Sequence, residues 1–569
     1  MRLTVPAMMT GDGVDESGRK TPERPASRYA LMLCLVVALS SFVFVRIYNR
    51  ETAFIVLDGG DDAGYLAHTE ALLRYHTWDW CAAPFTSRTL KEQCSSGLRP
   101  AYNKCAPGPA LSVLPLNALG LVLEDTGLLR TRPLDPLVFW SLVGAFVLFG
   151  GAMLLLWRIA VLLGCSPRLA FWATTAMALG NPILYYVFRR PLMGHAAEFF
   201  WFSAATFFLL RYLHAATPRV RVMLAGFLGS SAAMLAVTRF NDAPIAAAFI
   251  AAVLTGDRAR GPRARGFLFG LLGAAVPIAL LAGEVWAQLR GAPLPPYDSP
   301  NHFVSVWPLT LAHLQRMAGF FIGVHWGIVL LTPFVAVELV VIAVRGRRLL
   351  PRVRHQKSVV VIFAVAGGVQ LLLASSYWSV GASYGSRYAF AVYWLLHLAF
   401  LLSLGTASAS DRARAPIWRH LCVTVAAAAV LVGALNLGSF ESAPELTPRR
   451  SLVRDEGVAN PEFGTLVDWV TPHFATRALK NALSGRAVLT FGASPIVGYP
   501  CLAARMLFGA AAHVPQALLD YYWKRGISSL ADLGALFRYH LVVLTISAMA
   551  AACFWRAGRR ADASKKTDG

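Results

Sequence analysis

The amino-acid sequence predicts an all-α polytopic membrane protein with about 12 transmembrane helices. The first observation is the composition: of 569 residues, 56% are hydrophobic and only 15% are charged, whereas a soluble protein carries roughly a quarter charged residues. The second observation is that apolar runs of roughly 18 residues or more, each long enough to span a bilayer, recur along the chain. The third is that basic residues lie in short clusters between these runs.

Each predicted span is an apolar run with polar or basic residues at its ends, and the sixth run is the shortest. The predicted spans cover residues 29–48, 134–157, 169–188, 195–213, 222–240, 242–256, 266–287, 318–344, 358–377, 387–407, 418–437 and 538–556.

The basic clusters determine the predicted orientation of the spans. With the N-terminus in the cytoplasm, the even-numbered gaps between spans also lie inside, and they hold most of the arginines, among them Arg158, Arg168, Arg219 and Arg221. This bias agrees with the positive-inside rule. It also accounts for the formal net charge of +22 without a nucleic-acid partner. The sequence therefore predicts a multi-pass protein of the cell (plasma or inner) membrane, with membrane lipids as partners and both termini cytoplasmic.

Two outer segments are much longer than the short loops that join the other predicted spans. The first contains an apolar stretch, Pro107–Leu123, which would invert every later loop if it crossed the membrane, so we predict a juxtamembrane helix along the surface. The second is predicted to be a small outer segment without recognisable chemistry. The predicted organisation is a disordered cytoplasmic N-terminus (1–28), a transmembrane core (29–437) that includes the outer loop 49–133, a periplasmic or extracellular segment (438–537), and a last transmembrane helix with a basic cytoplasmic tail (538–569).

Three cysteines share the first outer segment, where disulfides can persist. They are Cys81, Cys94 and Cys105. One bridge among them is one interpretation, with no pairing given by their spacing. Free thiols without a role are the alternative.

The sharpest local feature is an acidic cluster, Asp58, Asp61 and Asp62, about ten residues after the first span. Glycines lie among the carboxylates, and a helix containing Tyr65 is predicted to follow. A carboxylate close to the membrane can act as a general base toward an acceptor hydroxyl. The alternative is a solvated acidic turn that caps this helix at its positive N-terminus. No metal or cofactor is predicted, because one acidic cluster without further ligands is a weak indication of a divalent metal.

Several cations are predicted to reach the same outer face. Lys104, just before the juxtamembrane helix, can bind phosphate as a point charge; contact with lipid head groups is the alternative. Arg189 and Arg190 run against the positive-inside trend, which an anionic ligand would explain. Arg239 and Arg387 each lie at the outer end of a predicted span. Cations at these positions can hold a phosphate and stabilise charge on a leaving group.

The fourth predicted span opens with His195 and Glu198, one helical turn apart. Charged groups inside a span are expensive and usually functional. The alternative interpretation is a mutual pairing of Arg190 with Glu198. An acid beside several cations at a membrane surface suits transfer from a lipid-linked phosphate donor.

Three motifs, in this order and topology, resemble the GT-C superfamily of integral membrane glycosyltransferases, near the protein O-mannosyltransferase and aminoarabinose transferase branch. They are the acidic pair with its tyrosine helix (Asp61–Leu66), the basic residue before a Pro/Gly-led juxtamembrane helix (Lys104–Leu114), and the Gly-x-Arg-Tyr motif at Gly385–Tyr388. The resemblance covers residues 29–407 and implies a GT-C-like transmembrane fold.

The resemblance also implies a polyprenyl-phosphate sugar as donor and a hydroxyl on a lipid, a glycan or a protein as acceptor. It assigns the role of catalytic base to Asp61, with Asp62 as its neighbour. In the family the second acid of this pair is commonly Glu, and Asp58 is a further carboxylate available for the role of base. Lys104 and Arg387 inherit phosphate binding. The full set of expected substrate-binding residues is Asp58, Tyr65, Lys104, Arg189, Arg190, His195, Glu198, Arg239 and Arg387.

Two other functional classes remain open at the level of sequence. A multi-span transporter or flippase of lipid-linked sugars also has many spans and outer charges. The lack of an internal repeat and the few charges predicted in the middle of spans argue against it. The other class is a non-catalytic scaffold for envelope assembly.

Overall fold

The computed structural model describes residues 60–79, 105–128, 135–179, 183–188, 191–215, 217–256, 260–289, 334–343, 357–376 and 390–405, together with Tyr29, Met32, Leu314 and Met317. Within these residues all regular structure is helical. The helices are α1 (Gly60–Arg74), α2 (Gly108–Asp125), α3 (Pro136–Leu162), α4 (Pro167–Leu179), α5 (Ile183–Phe188), α6 (His195–His214), α7 (Pro218–Thr238), α8 (Ala243–Gly256), α9 (Arg260–Leu289), α10 (Phe334–Ala343), α11 (Lys357–Ser376) and α12 (Phe390–Gly405).

Helices occupy most of the predicted spans that the structure describes. The second, fourth, fifth, sixth, seventh, ninth and tenth spans correspond to α3, α6, α7, α8, α9, α11 and α12. The third predicted span, 169–188, differs, because α4 ends at Leu179 and α5 begins at Ile183. Between them the sequence reads Gly180-Asn181-Pro182, and a proline disfavours helical backbone at the preceding residue. A continuous apolar run was therefore wrongly interpreted as one helix.

Among the described residues, three helices are long and apolar enough to cross a membrane: Pro136–Leu162, Pro218–Thr238, and Arg265–Gly283 within α9. Four shorter apolar helices accompany them in the described part of the chain. These helices support a membrane protein, while the full number of 12 spans stays a prediction. The predicted spans 29–48, 418–437 and 538–556, most of 318–344, and the segments 1–28 and 438–537 lie outside the described residues.

Local sequence explains where the long helices begin and end. Helix α3 starts with Pro136, and the Asp135 side chain caps it by accepting from the Leu137 backbone N–H at 2.8 Å. It stops at Gly164, whose φ of +96° allows the Cys165 N–H to reach back to the Ala160 carbonyl at 3.0 Å. The next helix can therefore turn back along α3.

The helix ends lie at two levels of the bundle. At one level, here called the cluster end, the start of α6 meets the end of α7, since Arg239 contacts His195. The start of α12 is also there, with the Phe390 ring 4.8 Å from the His195 ring. At the opposite level, α12 ends against the turn after α3, where a Cβ added to Gly405 would lie 2.1 Å from the Leu163 carbonyl oxygen.

Several arginines at predicted cytoplasmic positions lie at this opposite level. They are at the end of α3, the start of α4 and the start of α7: Arg158, Arg168, Arg219 and Arg221. The predicted alternation of inner and outer loops along the whole chain stays a prediction. The side of the membrane that each level faces stays a prediction.

Helix α2 corresponds to the predicted juxtamembrane helix. It runs antiparallel to the first part of α3, because Asn117 Nδ2 donates to Ser141 Oγ at 3.0 Å and Val113 packs against the backbone at Gly144. At its start, a Cβ on Gly108 would lie 2.5 Å from the Thr238 backbone. Helix α2 thus begins at the cluster end, beside the last turn of α7. Its location along the membrane surface stays a prediction.

Candidate functional site

Helix α1, which carries Asp61 and Asp62, is held to the rest of the bundle at His68. The His68 side chain is buried, and Nε2 lies 2.9 Å from the Cys105 carbonyl oxygen. Burial lowers the pKa of His68 to about 4, against the opposing effect of this hydrogen bond. The imidazole is therefore neutral at physiological pH, and its Nε2–H donates to Cys105. This bond connects α1 to the segment that leads into α2.

A second connection joins the end of α1 to the start of α3. Arg74 donates from Nη1 to Glu70 and from Nη2 to Asp135, each at 2.8 Å. Partial burial raises the pKa of Glu70, and Arg74 opposes this shift. Since Asp135 also caps α3, Arg74 ties the last turn of α1 to the N-terminus of that helix. Together with His68, it orients α1.

A cleft opens between α1, α2, α3 and the turn before α6. It is a small cleft, with about 360 Å³ of empty space when its open mouth is included. Most of its wall is apolar, and Tyr65, Thr69 and Ser141 are polar side chains within it. Pro109 and Gly194 close one side, since a Cβ on Gly194 would lie 2.6 Å from Pro109 Cγ.

Helical periodicity relates the acidic pair to this cleft. Asp61 and Asp62 lie within the first turn of α1. Tyr65 follows them by four and three residues, and residues at these spacings share a helix face. Tyr65, Leu66 and Thr69 line the cleft. The backbone positions of both acids are therefore on the side of α1 that forms the cleft wall, one turn before Tyr65.

A buried polar cluster lies at the start of α6. His195 Nδ1 is 2.8 Å from Glu198 Oε2, and both side chains are 1% exposed. Arg239 Nη1 lies 3.0 Å from His195 Nε2 and 3.5 Å from Glu198 Oε2. Arg239 Nη1 is also 2.9 Å from His195 Nδ1, so the guanidinium contacts the imidazole as well as the carboxylate. Aromatic rings flank the imidazole, with the Tyr186 ring 4.1 Å away.

Two further residues join this cluster, and sequence reasoning did not assign either to a site. Asp242, in the 3₁₀ turn Phe240–Asp242, accepts a short hydrogen bond from Gln370 Nε2 of α11. The Asp242 carboxyl is also close enough to Glu198 for the two groups to interact electrostatically. Asp242 stood in a polar motif at the start of an apolar run, and Gln370 is a polar residue within one. A polar residue in or beside an apolar run could have identified both residues as candidates, but the sequence does not show that they contact each other.

A second buried pair lies between α10 and α12 and was also missed. His397 Nδ1 makes a short hydrogen bond with Glu338 Oε1, and the two side chains are 2% and 3% exposed. Within the described residues, His397 Nε2 has no hydrogen-bond partner. Both residues interrupt apolar helices, so a polar residue inside an apolar run was the available signal.

The structure brings together three of the predicted site residues, His195, Glu198 and Arg239, in the buried cluster. Tyr65 lies in the cleft instead, which is bordered by Gly194 and Ala197 on a neighbouring face of the first turn of α6. The alternative pairing of Glu198 with Arg190 is not tested, but Glu198 does contact Arg239. The structure does not describe the side chains of the other predicted site residues, which are Asp58, Asp61, Asp62, Lys104, Arg189, Arg190 and Arg387.

The structure describes only some of the residues on which the disulfide and metal predictions depend. Cys105 is buried, while Cys81 and Cys94 lie outside the described residues, so their pairing stays a prediction. Within the part of the chain that the structure describes, no group of three or more His, Cys, Asp or Glu residues is arranged to hold a metal ion.

Comparison with protein-family models, with curated proteins and with solved structures gave no match.

Proposed function

We propose that this protein is a membrane glycosyltransferase that moves a sugar from a polyprenyl-phosphate-linked donor to an acceptor hydroxyl on the non-cytoplasmic face. The observation that carries the proposal is the cleft wall formed by α1. One side of this helix presents Tyr65 and Thr69 to the cleft, and the positions of Asp61 and Asp62 precede them on that side. A carboxylate at the rim of a small cleft suits a general base for an acceptor hydroxyl.

The character of the cleft suits the head group of a lipid-linked donor. The cleft is small and open at its mouth, so the proposal places only the sugar and phosphate of the donor against it and not the polyprenyl chain. Its apolar wall with a few hydroxyl groups is typical of sites that orient a ligand by a small number of hydrogen bonds. Lys104 directly precedes Cys105, whose carbonyl is bonded to α1, so the chain reaches this region with a cation that can bind phosphate.

In the proposed reaction, Asp61 removes the proton from the acceptor hydroxyl as its oxygen attacks the anomeric carbon. The bond from that carbon to the phosphate oxygen breaks, and polyprenyl phosphate leaves. Cations at Lys104, Arg189, Arg190, Arg239 and Arg387 would stabilise the charge of this leaving group. Asp62 would support the base as its neighbour in the first turn of α1.

Transfer of label tests the proposal directly. Purified protein in lipid vesicles is supplied with radiolabelled polyprenyl-phosphate sugars of several kinds and with a membrane extract as the acceptor. Asp61→Asn is expected to lower transfer by a factor of roughly 10² to 10⁴, as expected for a lost general base. The matched control is Asp125→Asn, since Asp125 is an exposed acid at the end of α2. Full transfer by both Asp61→Asn and Asp62→Asn would refute this mechanism.

A transporter or flippase of lipid-linked sugars is the second candidate. The observation that favours it is the Glu338–His397 pair, buried between two apolar helices, because ionisable groups inside membrane helices often mark transport pathways and proton relays. The same labelled donor separates the two functions. A transporter moves the donor across the vesicle membrane intact, whereas a transferase attaches the labelled sugar to an acceptor.

A further inference from the structure

The cleft contains a serine on helix α3, Ser141, that the proposed transfer reaction does not use. Ser141 lines the cleft together with Ala145 and Leu148, which follow it by four and seven residues and so share its helix face. Tyr65 and Thr69 of α1 also line the cleft. Ser141 is therefore the polar side chain that α3 contributes to a site whose other hydroxyl groups come from α1.

A buried amide on α2 holds the Ser141 hydroxyl in place. Asn117 Nδ2 donates to Ser141 Oγ at 3.0 Å, and Ser141 Oγ donates to Asn117 Oδ1 at 3.3 Å. Both residues are buried. Close helix contacts lie one turn away, since a Cβ on Gly120 would be 2.0 Å from the Trp140 ring and a Cβ on Gly144 would overlap a side chain of α2. The tight packing of α2 against α3 therefore fixes the hydroxyl at the cleft wall.

The hydrogen-bonding capacity of Ser141 shows what it can bind. A serine hydroxyl has one O–H donor and two acceptor lone pairs. The two bonds with Asn117 use the donor and one lone pair. The remaining lone pair can accept a hydrogen bond from a ligand in the cleft. The oxygens of an ionised phosphate are acceptors, so they cannot supply this bond, whereas a sugar hydroxyl can donate.

We propose that Ser141 accepts a hydrogen bond from a hydroxyl group of the donor sugar, and that Asn117 is its positioning residue. This inference rests on the proposed function, because it takes the ligand of the cleft to be the sugar of a lipid-linked donor. The competing interpretation is a pairing that only joins α2 to α3, since amide and hydroxyl side chains bond helices together in membranes. Only the first role makes binding depend on one particular hydroxyl of the sugar.

Binding of donors that lack single hydroxyl groups tests the proposal. The probes are radiolabelled polyprenyl phosphates carrying mannose, glucose, galactose or arabinose, each with its monodeoxy derivatives, and the full chain is held in lipid vesicles. One monodeoxy donor is expected to bind the wild-type protein roughly three- to tenfold more weakly than its parent, as expected for one lost hydrogen bond. Ser141→Ala should bind the parent donor more weakly by a similar factor and should not distinguish it from that derivative.

Two further variants separate the roles of the residues. Ser112→Ala is the matched control, because Ser112 of α2 bonds to Trp201 and to the Gly108 carbonyl and is not one of the residues that line the cleft. This variant should keep the full penalty for the monodeoxy donor. Asn117→Leu removes the amide and should reduce the penalty, and an undiminished penalty in Asn117→Leu would overturn the positioning role.

The outcomes for the inference and for the proposed function differ. Wild-type vesicles that neither bind nor transfer any parent donor would overturn both. If the wild-type protein does bind a parent donor, equal penalties in the wild type and in Ser141→Ala for every monodeoxy derivative would overturn this inference alone. If Ser141→Ala does not fold, Ser141→Cys replaces it, because a thiol keeps a donor for Asn117 while its sulfur is a weak acceptor. A full penalty in Ser141→Cys would likewise overturn the inference.

Discussion

Helices α7 and α9 pack through glycines, and one substitution tests how closely they approach. A Cβ added to Gly229 of α7 would lie 1.8 Å from the Gly270 carbonyl oxygen of α9. A Cβ added to Gly273 would lie 2.0 Å from the Gly226 carbonyl oxygen, and Ser230 Oγ donates to the Gly273 carbonyl at 2.7 Å. Small residues that allow backbones to approach are typical of helix pairs in membranes.

The structure gives the expected size of the effect of Gly229→Ala. Ordinary contact begins at about 3.4 Å, so the new methyl group requires the helices to separate by roughly 1.5 Å. Overpacking of this kind costs about 1–3 kcal/mol, whereas alanine gains about 1 kcal/mol of helix propensity over glycine. Gly226→Ala has the same propensity gain without the clash, because the nearest atom to its Cβ, the Phe269 carbonyl oxygen, is 3.7 Å away.

The assay is thermal denaturation of the purified protein in detergent, followed by the amount that stays monodisperse on size-exclusion chromatography. Gly226→Ala is expected to unfold at or above the wild-type midpoint, and Gly229→Ala below the Gly226→Ala midpoint by an amount equivalent to about 1–3 kcal/mol. Equal midpoints for the two variants would refute the close approach of α7 and α9.

Two further predictions concern buried polar groups. The pKa of His68 is about 4 in the folded protein, against 6.5 when unperturbed. Above about pH 6.5 the imidazole is neutral in both the folded and the unfolded chain, so its burial does not make stability depend on pH. At lower pH the unfolded chain binds a proton first, and the free energy of unfolding falls by roughly 3 kcal/mol as the pH drops toward 4. His68→Gln, whose amide can still donate to Cys105, should flatten this acid limb of the midpoint-against-pH curve, and an unchanged limb would contradict the assignment. Glu338→Leu leaves the buried His397 imidazole without its partner and should cost about 3 kcal/mol in the same thermal assay. The double variant with His397→Leu should recover much of that loss, and simple addition of two losses would argue against a coupled pair.

Much of the helix content was predictable, because hydrophobic length and flanking polar residues are local signals. The start of α6 at His195 and the contact of that side chain with Glu198 follow from local sequence, since residues three apart lie on one helix face. The break between α4 and α5 was also visible in the Gly180-Asn181-Pro182 sequence, but an apolar run on both sides concealed it.

The membership of the buried cluster could be predicted only in part. Gln370 and Asp242 are 128 residues apart, and the spacing of residues along a chain does not reveal which helices become neighbours. Glu338 and His397 meet in the same way across 59 residues. Tyr65 and Thr69, which line the cleft, could be assigned to one face of α1, but the partner helices that complete the cleft could not.

The glycine contact between α7 and α9 bears on how the protein is assembled. The outer side of α9 is apolar and exposed, with Leu268, Leu272 and Val276 each more than half exposed. Hydropathy alone can therefore drive its insertion, whereas its docking depends on the backbone contact with α7. Insertion and docking are separable events in membrane folding. A larger residue at Gly229 would thus produce a chain that is inserted in the membrane while α9 is not packed against α7. Quality-control proteases would act on this incompletely assembled membrane protein.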